Sequence, residues 1–152
     1  MSSEATTPPS RRSQTARAIV AAYNTNNLET IMSFRTEDCI QEILPKSLGR
    51  PEMDNTAYAS WIGPMLPQLR GFTVTIDDLI EDARANKVVI LAHSTASTDV
   101  GPYANEYVLV FHLNETGDKI TRFQEFVDSA NSVTFFPKLQ EYLEQKAKAE
   151  GK

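Results

Sequence analysis

PYANEYVLVFHL (102–113) and KITRFQEFVD (119–128), joined by NETGD (114–118), decide the fold of this chain. Each reads as a long strand, and the short link makes them antiparallel neighbours. Strand side chains alternate between faces, so residues an even number apart share a side. Tyr103, Asn105, Tyr107, Leu109 and Phe111 line one side of the first strand, and Phe123, Glu125 and Val127 one side of the second. If the two sides coincide, a carboxylate faces two phenols across an apolar wall. That is the composition of a pocket for proton transfer on a hydrophobic molecule.

Working outward, Phe72–Ile76 alternates with period two and continues through Leu79 to Glu81, and Lys87–Ser97 follows as another strand. Residues 1–12 (MSSEATTPPSRR) read as a disordered lead-in to a single domain spanning 13–148. From Ser13, the spacing of Ala16, Ile19, Val20 and Tyr23 predicts a helix. A short one follows over Leu28–Phe34, capped by Asn26 or Asn27. Asp38–Leu44 has strand character and stops at Pro45. Asn55–Leu69 reads as a helix with Tyr58, Trp61, Ile62, Met65 and Leu66 on one side, kinked or ended by Pro64 and Pro67. The last segment, Ser132–Lys148, is helical, with Val133, Phe136, Leu139 and Leu143 on one flank and Pro137 near its first turn. The order implies an α+β fold: a curved antiparallel sheet wrapped around N-terminal helices, a cone whose open end is a ligand cavity.

A chain of 152 residues is one domain with a real core. Its net charge of −5 disfavours nucleic acid, whose phosphates need a basic surface. No stretch reaches the ~20 apolar residues of a membrane span, and no secretory signal is legible. Cys39 stands alone, which excludes an internal disulfide and fits a reducing, cytoplasmic location. The two histidines, His93 and His112, lack metal-ligand spacing, so no metal is expected. No G-x-S-x-G elbow occurs, and Cys39 reads as buried filler.

Glu125 lies among Phe123, Phe126 and Val127, where desolvation would raise its pKa into the range of a general base or acid. The opposite phase, with Gln124 and Phe126 inward, is open at this point. Tyr103 and Tyr107 suit orientation of a flat aromatic molecule, and Asn105 between them adds a hydrogen bond. Trp61, Met65, Phe111 and Phe123 are expected as apolar lining. Asp128 is out of phase with Glu125: it either turns inward at a bulge or caps the last helix. Arg35 either reaches the pocket, where a guanidinium holds developing negative charge, or pairs with Glu37, Asp38 or Glu42 at the surface. His112 opposes Tyr107 in phase and, with Glu106 and Arg122, predicts a polar outer face; His93 could face either way. Ser94, Thr95, Ser97 and Thr98 read as polar edge alternation.

The runs SFRTEDCIQEILPKSLGRP (33–51), GPYANEYVLVFHLNETGDKITRFQEFVDS (101–129) and FFPKL (135–139) resemble the fungal SnoaL-like branch of the NTF2-like cone proteins, over roughly Thr15 to Glu144. The resemblance implies cofactor-independent isomerases and cyclases of secondary metabolism, acting on polyketide, meroterpenoid or indole-alkaloid skeletons. Within that group the chain resembles the semipinacolases of brevianamide-type alkaloid biosynthesis, which turn an oxidised indole into a spiro-indoxyl. Such a working set has an arginine after the second helix, two tyrosines four apart on a strand and a glutamate on the next. Arg35, Tyr103, Tyr107 and Glu125 occupy those places. The paired histidines of scytalone-dehydratase-type cones have no counterpart here. A homodimer formed through the sheets is implied by the same resemblance. A non-catalytic carrier of an apolar metabolite is the rival from another class.

Overall fold

The computed structural model describes residues 8–151. Residues 1–7 of the lead-in lie outside the described residues; Ser10 caps the first helix, which takes in Arg11 and Arg12. The elements are α1 (Arg11–Asn24), α2 (Leu28–Met32), β1 (Arg35–Leu44), α3 (Asn55–Ile62), β2 (Arg70–Asp82), β3 (Lys87–Thr98), β4 (Gly101–Leu113), β5 (Ile120–Val127) and α4 (Ser129–Ala149). The α+β expectation holds: five strands form one sheet in the order β1-β5-β4-β3-β2, with helices on one side.

Each helix begins where a polar side chain satisfies an orphan backbone amide. Ser10, Asn27, Asp54 and Asp128 accept from Ser13, Thr30, Ala57 and Asn131. Asn27 is thus the cap of α2, while Asn26 takes a positive φ of 56°. The helix expected over Asn55–Leu69 ends at Ile62, and a short 3-10 turn at Leu66–Gln68 completes the segment, as Pro64 and Pro67 require.

β2, β3, β4 and β5 form the antiparallel meander. The inward phase of β2 passes from Ile76 to Leu79 because a bulge at Ile76/Asp78 resets the alternation. β1 differs from the expected short strand. It runs ten residues from Arg35, with a register shift before Ile40, and lies parallel to β5 at the sheet edge. Arg35 therefore sits at the start of a strand and not at a helix end.

α4 starts three residues earlier than expected, at Ser129, because Asp128 supplies its cap. The buried flank is Ser132, Phe135 and Leu139, and Val133 is turned out to solvent. Pro137 therefore falls in the helix interior. Its missing N–H would leave the Val133 carbonyl unpaired, and the exposed Val133 side lets water take that place.

The concave face of the sheet meets α1 over Ala16, Ile19, Val20, Val88, Ile90, Phe111 and Phe123. Phe111 and Phe123 stack edge to face at 4.6 Å, forming the closed floor of the cone. The outer face carries His93 bonded to Asp77 and His112 bonded to Gln124, as its polar reading expects for His112. It is less polar than expected, however. Leu91, Val108 and Phe126 are cross-strand neighbours and all three are exposed.

Candidate active site

The register of β4 against β5 answers the open question of phase. Leu109 pairs with Glu125, Tyr107 with Val127 and Phe111 with Phe123, so all face inward together while Gln124 and Phe126 face out. Glu125 lies one pair along from Tyr107. The two strands, with α1, α3 and the 3-10 turn, enclose about 720 Å³ of space counted out to the mouth. Its wall includes Tyr23, Tyr58, Trp61, Met65, Tyr103, Tyr107, Phe111, Phe123 and Glu125. Glu125 is the single charged group among them, and its residual exposure is to the cavity.

Burial lifts the Glu125 carboxyl from its ordinary 4.5 to about 7, against the opposing effect of a donor from Gln41 Nε2 at 3.4 Å. The sign of the consequence for stability is fixed. A carboxyl whose pKa is higher folded than unfolded favours the protonated native state, so its contribution is lost as pH rises from about 4.5 through about 7. Relative to Glu125→Gln, the wild type should lose up to roughly 3 kcal/mol across that window. Thermal melts of both proteins at pH 4.5 and pH 8.5 check this: the variant should gain over the wild type at the higher pH only.

Tyr103 and Tyr107 come together through a connected set of hydrogen bonds. Asn105 Oδ1 accepts from the Glu106 amide, which fixes the amide so that Nδ2 donates to the Tyr103 hydroxyl at 2.9 Å. The Tyr103 oxygen lies 2.9 Å from that of Tyr107, and Ser94 Oγ lies 2.7 Å beyond. With the Asn105 amide donating to its oxygen, the Tyr103 hydroxyl can donate its own proton toward Tyr107. If Ser94 also donates to Tyr107, the Tyr107 proton is left for a ligand. A second phenol pair, Tyr23 and Tyr58, is hydrogen-bonded on the opposite wall. Burial is the main cause raising all four phenols above 10.0, so they are neutral donors at working pH.

Two expected placements are corrected. Arg35 does not line the cavity. It is buried behind it, with Nη1 donating to Gln41 Oε1 at 2.8 Å, Nε to Asn55 Oδ1 at 2.8 Å, and its guanidinium 4.5 Å over the Tyr58 ring. None of Glu37, Asp38 or Glu42 pairs with it. The reason is the early start of β1 at Arg35 and the irregular register before Ile40, which leave Arg35 buried beside Gln41 while Glu37 and Asp38 are exposed. Asp128 is exposed outside the cavity, because the α4 cap takes its carboxylate. His93 also faces out. Among the described residues no group of three His, Cys, Asp or Glu side chains clusters as a metal site would need.

Sequence reasoning missed Gln41, Ser94, Tyr23 and Tyr58 as site residues. Gln41 had a signal: a fully buried amide between Cys39 and Ile43, on the inward phase of a strand, must be bonded to something. Ser94 shares the inward phase of β3 with Ile90 and Ala92. It is not edge polar alternation.

This apolar cone with one carboxylate and paired phenols has known relatives. The SnoaL-like domain matches residues 16–123, and the chain belongs to that family. It is 31% identical over 129 residues to core atranone cluster protein 11 of Stachybotrys chlorohalonatus, covering 85% of this chain and 96% of that one. Over 108 residues it is 33% identical to the monooxygenase nsrQ of Aspergillus novofumigatus, covering 71% and 72%. The crystal structure of the BvnE pinacolase from Penicillium brevicompactum superposes with a TM-score of 0.82 at 27% identity, covering 88% of this chain and 96% of that one.

Proposed function

We propose that the protein is a cofactor-independent isomerase or cyclase of fungal secondary metabolism, using Glu125 as the base in an apolar cavity. The observation that carries this reading is Glu125 itself: a lone carboxylate at the junction of two phenol pairs, lifted to about 7 by burial. A base with a pKa near the working pH combines the ionised form with enough proton affinity to act. The likeness to a pinacolase favours a semipinacol-type shift of an oxidised indole as the specific reaction. In a 3-hydroxyindolenine, Glu125 takes the hydroxyl proton, Tyr107 protonates the imine nitrogen, and a carbon migrates as the carbonyl forms. One proton leaves and one arrives, so the product is an isomer. Arg35 supports Glu125 through Gln41 and makes no contact with the substrate. For a polyketide or meroterpenoid, the same base would remove a proton beside a carbonyl.

The name of the relative nsrQ favours a second reading, oxygenation of a substrate carbanion by molecular oxygen. Product mass decides between them. Isomerisation gives unchanged mass with and without air; a product that has gained one oxygen atom and lost two hydrogens, the second oxygen atom leaving as water and the substrate supplying the electrons, formed only in air, would replace the first reading with the second. Binding without any product would leave a carrier.

The exposed row Leu91, Val108 and Phe126 supports pairing with a second copy through the outer sheet face, in keeping with the family resemblance. Sedimentation velocity should give a dimer, and Val108→Asp should give a folded monomer. A wild-type monomer at the same concentrations would end this part of the reading.

A further inference from the structure

A smaller lobe of about 320 Å³, counted out to its mouth, adjoins the main cavity and shares Trp61, Tyr103, Glu125 and Phe136 with it. Its chemistry differs from that of the main chamber. Ser132 lines it from α4 and is 6% exposed, yet its Oγ has no hydrogen-bond partner among the described residues. The neighbouring inward positions of α4 are Phe135, Phe136 and Leu139, so an unpaired hydroxyl here is a group held for something absent from the bare protein. Asn105 lies in the same lobe with one amide hydrogen beyond the bond to Tyr103. At the mouth stands Arg50, its guanidinium 5.7 Å over the Trp61 ring. No carboxylate lies within 4.0 Å of it among the described residues, and the nearby Glu52 pairs with Arg122. Stacking on Trp61 holds Arg50 in place with its donors free.

We propose that this lobe is the subsite for an anionic oxygen substituent, a carboxylate or an ionised enol, on a substrate whose apolar body fills the main cavity. Ser132 and Asn105 donate to the oxygens, and Arg50 supplies the charge. The placement also keeps the anion on the Arg50 side, with Glu125 at the junction facing the reacting carbon. The proposal rests on the main cavity being the substrate site and adds a substrate class to it. A flat hydrocarbon alone would leave every polar group of the lobe unused.

The test is calorimetric titration with 2-naphthoate and methyl 2-naphthoate at pH 6, where the probe is ionised and Glu125 mostly is not. The acid should bind at least about tenfold more tightly than the ester, a preference that Arg50→Gln abolishes and that rising salt weakens. Ser132→Ala should weaken the acid by roughly three- to tenfold, since it removes one donor. Arg50 is exposed, so its variant is expected to fold normally. Equal affinity for acid and ester, or a preference that survives Arg50→Gln, overturns the subsite and leaves the main cavity standing. Failure of both probes to bind removes the cavity reading along with it.

Discussion

Glu125→Gln is expected to lower turnover by about 100-fold or more while the substrate still binds. Gln fills the same volume and keeps an oxygen to accept from Gln41, so the cavity walls are preserved and only the base is lost. The wild-type pH profile follows from the same group. A base works ionised, so kcat/KM should fall about tenfold per pH unit below about 7 and level off above it. Steady-state kinetics from pH 5 to 9 check both statements. Near-normal turnover in the variant would take Glu125 out of the mechanism.

The second large effect is expected one step back from the substrate, at Gln41. Arg35 has only donors, so its bond at 2.8 Å forces Gln41 to present Oε1 to it and Nε2 to Glu125. Gln41 thus converts a buried cation into an oriented donor for the carboxylate. Gln41→Leu removes the one hydrogen bond that pulls the Glu125 pKa down, so the acidic limb of the rate profile should move to higher pH. At pH 6.5 this should cost about tenfold in kcat/KM, with recovery near pH 9. The same variant strips the acceptor from Arg35 Nη1, whose neighbour Nη2 is already unpartnered, and should lose about 2–3 kcal/mol of stability. Gln41→Glu separates the two roles. It gives Arg35 a charged partner and restores stability, but it puts a like charge beside Glu125 and moves the limb further. A destabilised Gln41→Leu protein with an unshifted limb would make the residue structural only.

Much of this site was legible because strand phase is a strict rule. Once Tyr103, Tyr107 and Glu125 are placed on neighbouring strands, a period of two leaves only two arrangements, and the apolar company of Leu109, Phe111 and Phe123 points to the inward one. The resemblance of the same runs to fungal SnoaL-like proteins carried the fold further, to the cone. What failed were features set by distant parts of the chain. The parallel seating of β1 on β5 brings together residues about eighty positions apart, and no local pattern near Arg35 announces it. Arg35 was therefore given either a place in the pocket or a surface carboxylate, when its partners are Gln41 and Asn55. Asp128 shows a different limit. The sequence allowed two uses of that carboxylate, and capping took it, because α4 needs an acceptor at its first turn. The outer face was read from His112, Glu106 and Arg122; the apolar row emerges only when Leu91, Val108 and Phe126 are brought into register across three strands.

The account stands on a carboxyl group that holds its proton near neutrality because water is largely kept from it. Carbon-13 NMR titration of glutamate-labelled protein, with the Glu125 signal assigned by its absence in Glu125→Gln, measures this directly. A midpoint near 7 is expected. A midpoint at the ordinary value of about 4.5 would show a solvated carboxylate and contradict the proposed base.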